Sequence, residues 1–235
     1  MTINIGHLYY DLFNLYGSSG NIKAMKYYLE KQGIKVNIKF ITLNDDINLN
    51  NIDILFIGSG TENNQDLVLK HINKYKKEIE EFINNNKYIL VSGNSLELFG
   101  KMIDNNKALD IFPFSGKRTD FRIVDEAYFK CDFIDKPILG FQNQGSVIKD
   151  ITENNLFTVV KGTGSYPKSK YEGYHYKNFY GTYLIGPLLV RNPALLKYLM
   201  NNLIKSKDEN YEIKNNVLEI EEKAYQNFID LHYSK

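Results

Sequence analysis

"KYILVSGNSLELFG", residues 87–100, decides the fold. Its apolar run, Tyr88 to Val91, is short and unbroken, as in a strand buried on both faces. Gly93 and Asn94 then mark a tight turn, and the residues after them predict a helix. A strand that turns sharply into a helix is the outline of a nucleophile elbow, which lifts one side chain into a pocket. The apex of such an elbow displays Ser or Cys. In this chain the apex falls on Gly93, which has no side chain.

Outward from the elbow, buried strands and amphipathic helices alternate. "IDILFIG" (52–58) is a second short apolar run, and "INIGHLYY" (3–10) and "KVNIKFITL" (35–43) read as strands. "GNIKAMKYYLEKQG" (20–33) places Ile22, Met25 and Leu29 on one helical face, with Gly33 as its stop. "QDLVLKHINKYKKEIEEFINNN" (65–86) predicts one helix with Leu67, Ile72, Tyr75, Ile79, Phe82 and Ile83 inward. The order β-α-β-β-α-β-α predicts an α/β fold with a mostly parallel sheet flanked by helices. Ligands bind such sheets beyond the carboxyl ends of the strands, where the loops after Ile57 and Val91 lie.

The second half reads as shorter strands at 121–126, 127–133, 136–141, 156–162 and 179–186, with closing helices at 191–207 and 215–233. No repeat, low-complexity linker or composition break divides the chain, so a single domain over 1–235 is expected. A formal net charge of +1 gives no basic footprint for nucleic acid. The lone Cys131 can form no internal disulfide. The N-terminus lacks the pattern of a signal peptide, and no apolar run approaches the roughly 18 residues of a membrane span. A cytoplasmic location is therefore expected.

"GSGTEN" (58–63) reads two ways: as a tight turn, or as a turn whose N–H groups face a substrate as in an oxyanion hole. It lacks the third glycine of a dinucleotide fingerprint. His175, among tyrosines, reads as structural. His7, His71 and His232 have no partner at metal spacing, so neither a metal nor a cofactor is expected. Cys131, in an alternating pattern, reads as a small buried hydrophobe. Ser92 reads as turn chemistry and Ser95 as a first-turn cap.

Five stretches carry a resemblance: "LFNLYGSSGNIKAM", "DILFIGSGTENNQ", "LELFGK", "GFQNQGS" and "EGYHYKNFYGTYLIGPLLVRNP". They run in order across roughly residues 3–205 and resemble the class I glutamine amidotransferases of the cobyric-acid-synthase-like branch. Within it they resemble the glutaminase (GatD) subunits of lipid II isoglutaminyl synthase, which act in peptidoglycan biosynthesis. The resemblance implies a flavodoxin-like class I amidotransferase fold. In that family the elbow reads Cys-Gly-Gly-Tyr-Gln before Leu-Gly, and a catalytic His stands between Gly-Thr-Tyr-Leu and Gly-Pro. Matching "LELFG" puts Gly93 at the cysteine, Asn94 and Ser95 at the two glycines, and Glu97 at the glutamine. The histidine position is Ile185. Glycine cannot attack a carbonyl, and isoleucine cannot carry a proton. The resemblance further implies that Gly58, Ser59 and Gly60 form the oxyanion loop and that Arg118 faces the glutamine site. "FQNQG" matches Phe-Glu-Asn-His-Gly, retaining Asn143 and replacing the histidine with Gln144.

Three functions follow as expectations. The first is a glutaminase-like subunit without hydrolysis, partnered as in the family with a Mur-ligase-like (MurT-like) or other ATP-using synthetase. The second is an amidohydrolase with a relocated nucleophile at Ser92, Ser95 or Cys131. The third is a sensor that binds glutamine or a similar amino acid. The tyrosine-rich "SYPKSKYEGYHYKNFYGTY" (165–183) reads either as a partner surface or as core packing.

Overall fold

Tyr88–Ser92 is a strand with all five residues buried, and it lies inside a six-stranded sheet. A computed structural model of the chain describes residues 1–149, 151 and 153–233. The strands are β1 (Thr2–Leu8), β2 (Lys35–Ile41), β3 (Ile54–Ile57), β4 (Tyr88–Ser92), β11 (Tyr174–Tyr176) and β12 (Phe179–Thr182). Their order is β11-β12-β4-β3-β1-β2. All neighbours run parallel except β11, which pairs antiparallel with β12 at one edge. Alternation along the central strands feeds two cores. Leu55, Ile57, Ile89 and Val91 face one side, and Ile54, Phe56, Tyr88 and Leu90 the other.

Helices cover both faces. On one face pack α2 (Glu62–Ile72) and α3 (Lys76–Asn84), through Val68, Leu69, Ile72, Ile79, Phe82 and Ile83. On the other pack α1 (Ser19–Gln32), through Met25 and Leu29, and α5 (Pro193–Lys207), through Leu196, Leu199 and Leu203. Gly33 closes α1 at φ +90°, a left-handed conformation that favours glycine. Short α4 (Leu188–Arg191) precedes α5, and α6 (Glu219–His232) follows it. Among the described residues no helix is long and apolar enough to cross a membrane.

The expected single helix over 65–86 is two helices joined by a 3-10 turn at Asn73–Tyr75. In α2 the buried positions are Gln65, Val68, Leu69 and Ile72, a helical face that leaves Leu67 outward and half exposed. The helix expected after the elbow is a tighter 3-10 segment, Gly93–Phe99. The strands expected at 121–126 and 127–133 are one strand, β7 (Ser115–Cys131). It pairs antiparallel with β8 (Ile134–Lys149), which absorbs the strand expected at 136–141. Together with β5 (Met102–Ile103), β6 (Asn106–Lys107), β9 (Phe157–Lys161) and β10 (Tyr171–Glu172) they form a second, largely antiparallel sheet. Between Arg118 and Ile123 the register breaks. Arg118 pairs with Ser146 and Ile123 with Gln144, so residues 119–122 bulge opposite Gly145. Of the clustered tyrosines, Tyr174, Tyr180 and Tyr183 are buried in the packing, whereas Tyr171 and Tyr176 reach solvent.

Candidate functional site

Three loops at the carboxyl edge of the parallel sheet enclose a cavity of about 200 Å³. Leu15 and Tyr16 come from the loop after β1, Ser59 to Glu62 from the loop after β3, and Gly93 and Asn94 from the turn after β4. The second sheet adds Arg122 from the bulge and Asn143 to Ser146 from β8, and Tyr183 completes the lining. The cavity lies beside the point where chain order reverses, with β2 on one side of β1 and β3 on the other.

Gly93 sits at φ +72°, the left-handed conformation of an elbow apex. A Cβ placed on it would overlap the Ser59 hydroxyl, lie 2.5 Å from Ser59 Cβ, and lie 3.2 Å from Ile185 Cγ2. The two positions read from the sequence as the lost cysteine and histidine are therefore neighbours in space. Ile185 is buried, and its N–H donates to the Phe141 carbonyl at 2.9 Å. Ser59 fills the volume that a side chain at 93 would need.

Gly58 is wedged against Phe13 and Ser18, and the Ser18 hydroxyl oxygen accepts from the Ser59 N–H at 3.3 Å. At Gly60 the N–H donates to the Asn94 side-chain oxygen at 3.1 Å, and the Ser59 hydroxyl approaches the same oxygen at 3.4 Å. The Asn94 carbonyl accepts from Gln65 Nε2 at 2.8 Å, which ties the elbow to α2.

Beneath the cavity lies Glu97, matched from the sequence to the family's glutamine but given no role there. Glu97, fully buried, accepts from the Tyr183 hydroxyl at 2.8 Å, from Gln65 Nε2 at 2.9 Å, and from the Ser146 hydroxyl. Burial raises its pKa, and the three hydrogen bonds and the charge of Arg118 oppose that rise. A second buried acid, Glu172, accepts from the Thr182 hydroxyl at 2.7 Å and the Tyr183 N–H at 2.6 Å. Burial pushes it up to about 7. Tyr183 thus joins two buried carboxyls.

Arg118 does not line the cavity. It turns to α2, meeting Asp66 at 2.6 Å, Gln65 Oε1 at 3.1 Å and the Glu62 carbonyl at 3.2 Å. The bulge brings Arg122 to the rim instead, at 3.3 Å from Asn143 Oδ1 and 3.4 Å from Glu62 Oε1. Gln144 is buried and donates to the Ser146 and Ser165 carbonyls.

The other candidates lie outside catalytic geometry. Ser95 donates to the Ile57 and Ser92 carbonyls, so its hydroxyl serves acceptors and caps no N–H. The Ser92 hydroxyl is buried and has no partner among the described residues. Cys131 is buried at the β7–β8 turn, and burial pushes its thiol up to about 11. His175 stacks on Tyr180 and bonds the Lys177 carbonyl at 2.9 Å. His7 is buried with both ring nitrogens unpartnered among the described residues, and burial lowers it to about 4. Neither Cys nor His lines the cavity among the described residues, so no thiol–imidazole pair is brought together there.

A family model described as a CobB/CobQ-like glutamine amidotransferase domain matches residues 4–193. The chain is similar to the lipid II isoglutaminyl synthase (glutamine-hydrolyzing) subunits GatD of two organisms. It is 32% identical to the Streptococcus pneumoniae subunit over 87% of this chain and 82% of that one. To the Staphylococcus aureus subunit it is 32% identical over 97% of this chain and 95% of that one. A glutamine amidotransferase from Thermotoga maritima shares the fold, with a TM-score of 0.56 and 12% identity over 97% of this chain and 94% of that one. The chain belongs to the CobB/CobQ-like glutamine amidotransferase family.

Proposed function

As a member of that family, we propose, the chain is a GatD-like subunit that keeps the amidotransferase scaffold without glutamine hydrolysis. Its setting is then amidation of lipid II in cell-wall synthesis, beside a Mur-ligase-like (MurT-like), ATP-using synthetase. One observation carries the reading. Gly93 stands at the elbow apex with Ile185 against it, so both the attacking group and the proton carrier of the family reaction are absent from adjacent positions. Ser59 occupies the vacated volume, and among the described residues its hydroxyl meets only the Asn94 amide oxygen and no base. The subunit's remaining use is to dock on the synthetase, which draws on free ammonia.

The test is ammonia release from glutamine by the purified chain, alone and with a co-expressed Mur-ligase-like partner, together with isolation of the complex. The expected result is a stable complex and no release above background. Hydrolysis abolished by substituting Ser59, Ser92, Ser95 or Cys131 would overturn the reading in favour of a relocated nucleophile. A second reading, a binder of a glutamine-like amino acid, is favoured by the polar lining around Arg122 and Asn143. A saturable thermal shift with glutamine and no partner in any complex would support it over the first.

A further inference from the structure

We infer that Asn94 is a built-in occupant of the cavity, its carboxamide oxygen taking the Gly60 N–H that the oxygen of an amide or carboxylate ligand would otherwise accept. Gly60 stands two residues before α2, next to its N-cap Thr61, so its N–H lies near the positive end of that helix, where an incoming oxygen is stabilised. Asn94 reaches this donor at 3.1 Å, and the same oxygen stands 3.4 Å from the Ser59 hydroxyl. Its backbone is held in place by Gln65, a buried residue of α2. Asparagine is short enough to fold back on a neighbouring loop and still presents a carbonyl. A glycine at 94 would leave the donor open.

Several other polar groups of the cavity are engaged in the same inward manner. The hydroxyls of Ser146 and Tyr183 donate to Glu97, below the floor. The guanidinium of Arg122 divides itself between Glu62 and Asn143 at the rim. A ligand that binds these groups must replace internal partners, and the Asn94 bond is the one that guards the loop donor. Occupation of the Gly60 donor by Asn94 does not depend on whether the chain docks on a synthetase or whether hydrolysis is lost.

The experiment follows the Gly60 amide by nitrogen-15 NMR in the intact chain, in Asn94→Gly and in Asn94→Ala. Glutamine and acetate, at millimolar concentration, are the two probes. In the unsubstituted chain the Gly60 amide is expected to be protected from exchange and unmoved by either probe. In both variants exchange should quicken by about ten-fold, the loss expected for one hydrogen bond, and the Gly60 resonance should move saturably with at least one probe. Asn94→Asp retains an acceptor oxygen and should keep the protection. Unchanged exchange in the folded alanine and glycine variants would overturn the inference. So would a saturable Gly60 shift in the unsubstituted chain, or no response of the opened variants to either probe. Thermal melts of each variant establish that it is folded.

Discussion

Gly93→Ala is the sharpest probe of the elbow. Two penalties are expected and they have different origins. The left-handed φ of +72° costs an L-residue about 1–2 kcal/mol. The new Cβ would also lie 2.5 Å from Ser59 Cβ, and overpacking of this kind costs about 1–3 kcal/mol. The sum, about 2–5 kcal/mol, is a large part of the roughly 5–15 kcal/mol that holds a domain folded. A double-mutant cycle separates the parts. Ser59→Gly removes the closest atoms, so in that background Gly93→Ala should keep the dihedral penalty and the lesser contact with Ile185 Cγ2 at 3.2 Å, giving a coupling of about 1–3 kcal/mol. Ser59→Ala keeps the Cβ and should give little relief. Urea denaturation of the four proteins of the cycle, with midpoints and slopes fitted together, reads these quantities. A cost below about 1 kcal/mol for Gly93→Ala, or no coupling with Ser59→Gly, would show that Ser59 does not fill the apex.

Glu172→Gln should change how stability depends on pH. Burial raises the folded carboxyl from 4.5 to about 7, so the folded state binds the proton more tightly than the unfolded one. Its contribution is fully present below about pH 4.5 and is lost as pH rises through 7, on the order of 3 kcal/mol. The glutamine variant should flatten that slope between pH 5 and 8 in chemical denaturation, and an unchanged slope would refute the assignment. Gly93→Cys with Ile185→His restores both lost groups, yet Ser59 blocks the new Cβ and Asn94 holds the Gly60 N–H. Ammonia release is expected about 10²–10³ below that of an active family glutaminase, as for loss of an oxyanion donor, and full activity would refute it. Cys131, buried and with its thiol raised to about 11, should resist alkylation at neutral pH until the chain unfolds. Rapid labelling of the native chain, followed by mass spectrometry, would contradict its placement.

The parallel sheet was legible because its inner strands are apolar on both faces. The runs at 52–58 and 87–92 have no other stable use, and Gly33 marked its helix end through a conformation few residues adopt. The spatial pairing of positions 93 and 185 was legible only through the family pattern, since nothing local in "GTYLIGP" points to the elbow. What escaped depends on geometry that periodicity does not encode. Leu67 shares the apolar character of its neighbours but lies off the face defined by Gln65, Val68, Leu69 and Ile72. The break between α2 and α3 has neither proline nor glycine to announce it. Arg118 and Arg122 look equivalent in "KRTDFRIV", and the bulge alone sends one to α2 and the other to the cavity. Glu97 sits in an apolar run with no signal of the three donors that converge on it from distant segments.

The place of β12 beside β4 has a consequence for the order in which the molecule is made. Between these neighbouring strands the chain leaves the first sheet, builds the long β7–β8 ribbon, and returns. The ribbon's two strands follow one another and can zip locally, on the microsecond scale of a hairpin. Joining β12 to β4 must instead close an excursion over 93–178, an entropy cost of about 4 kcal/mol before any contact across it forms. Because the cavity lining reaches Tyr183, just past β12, the cavity is incomplete on a nascent chain until that segment has emerged and joined β4.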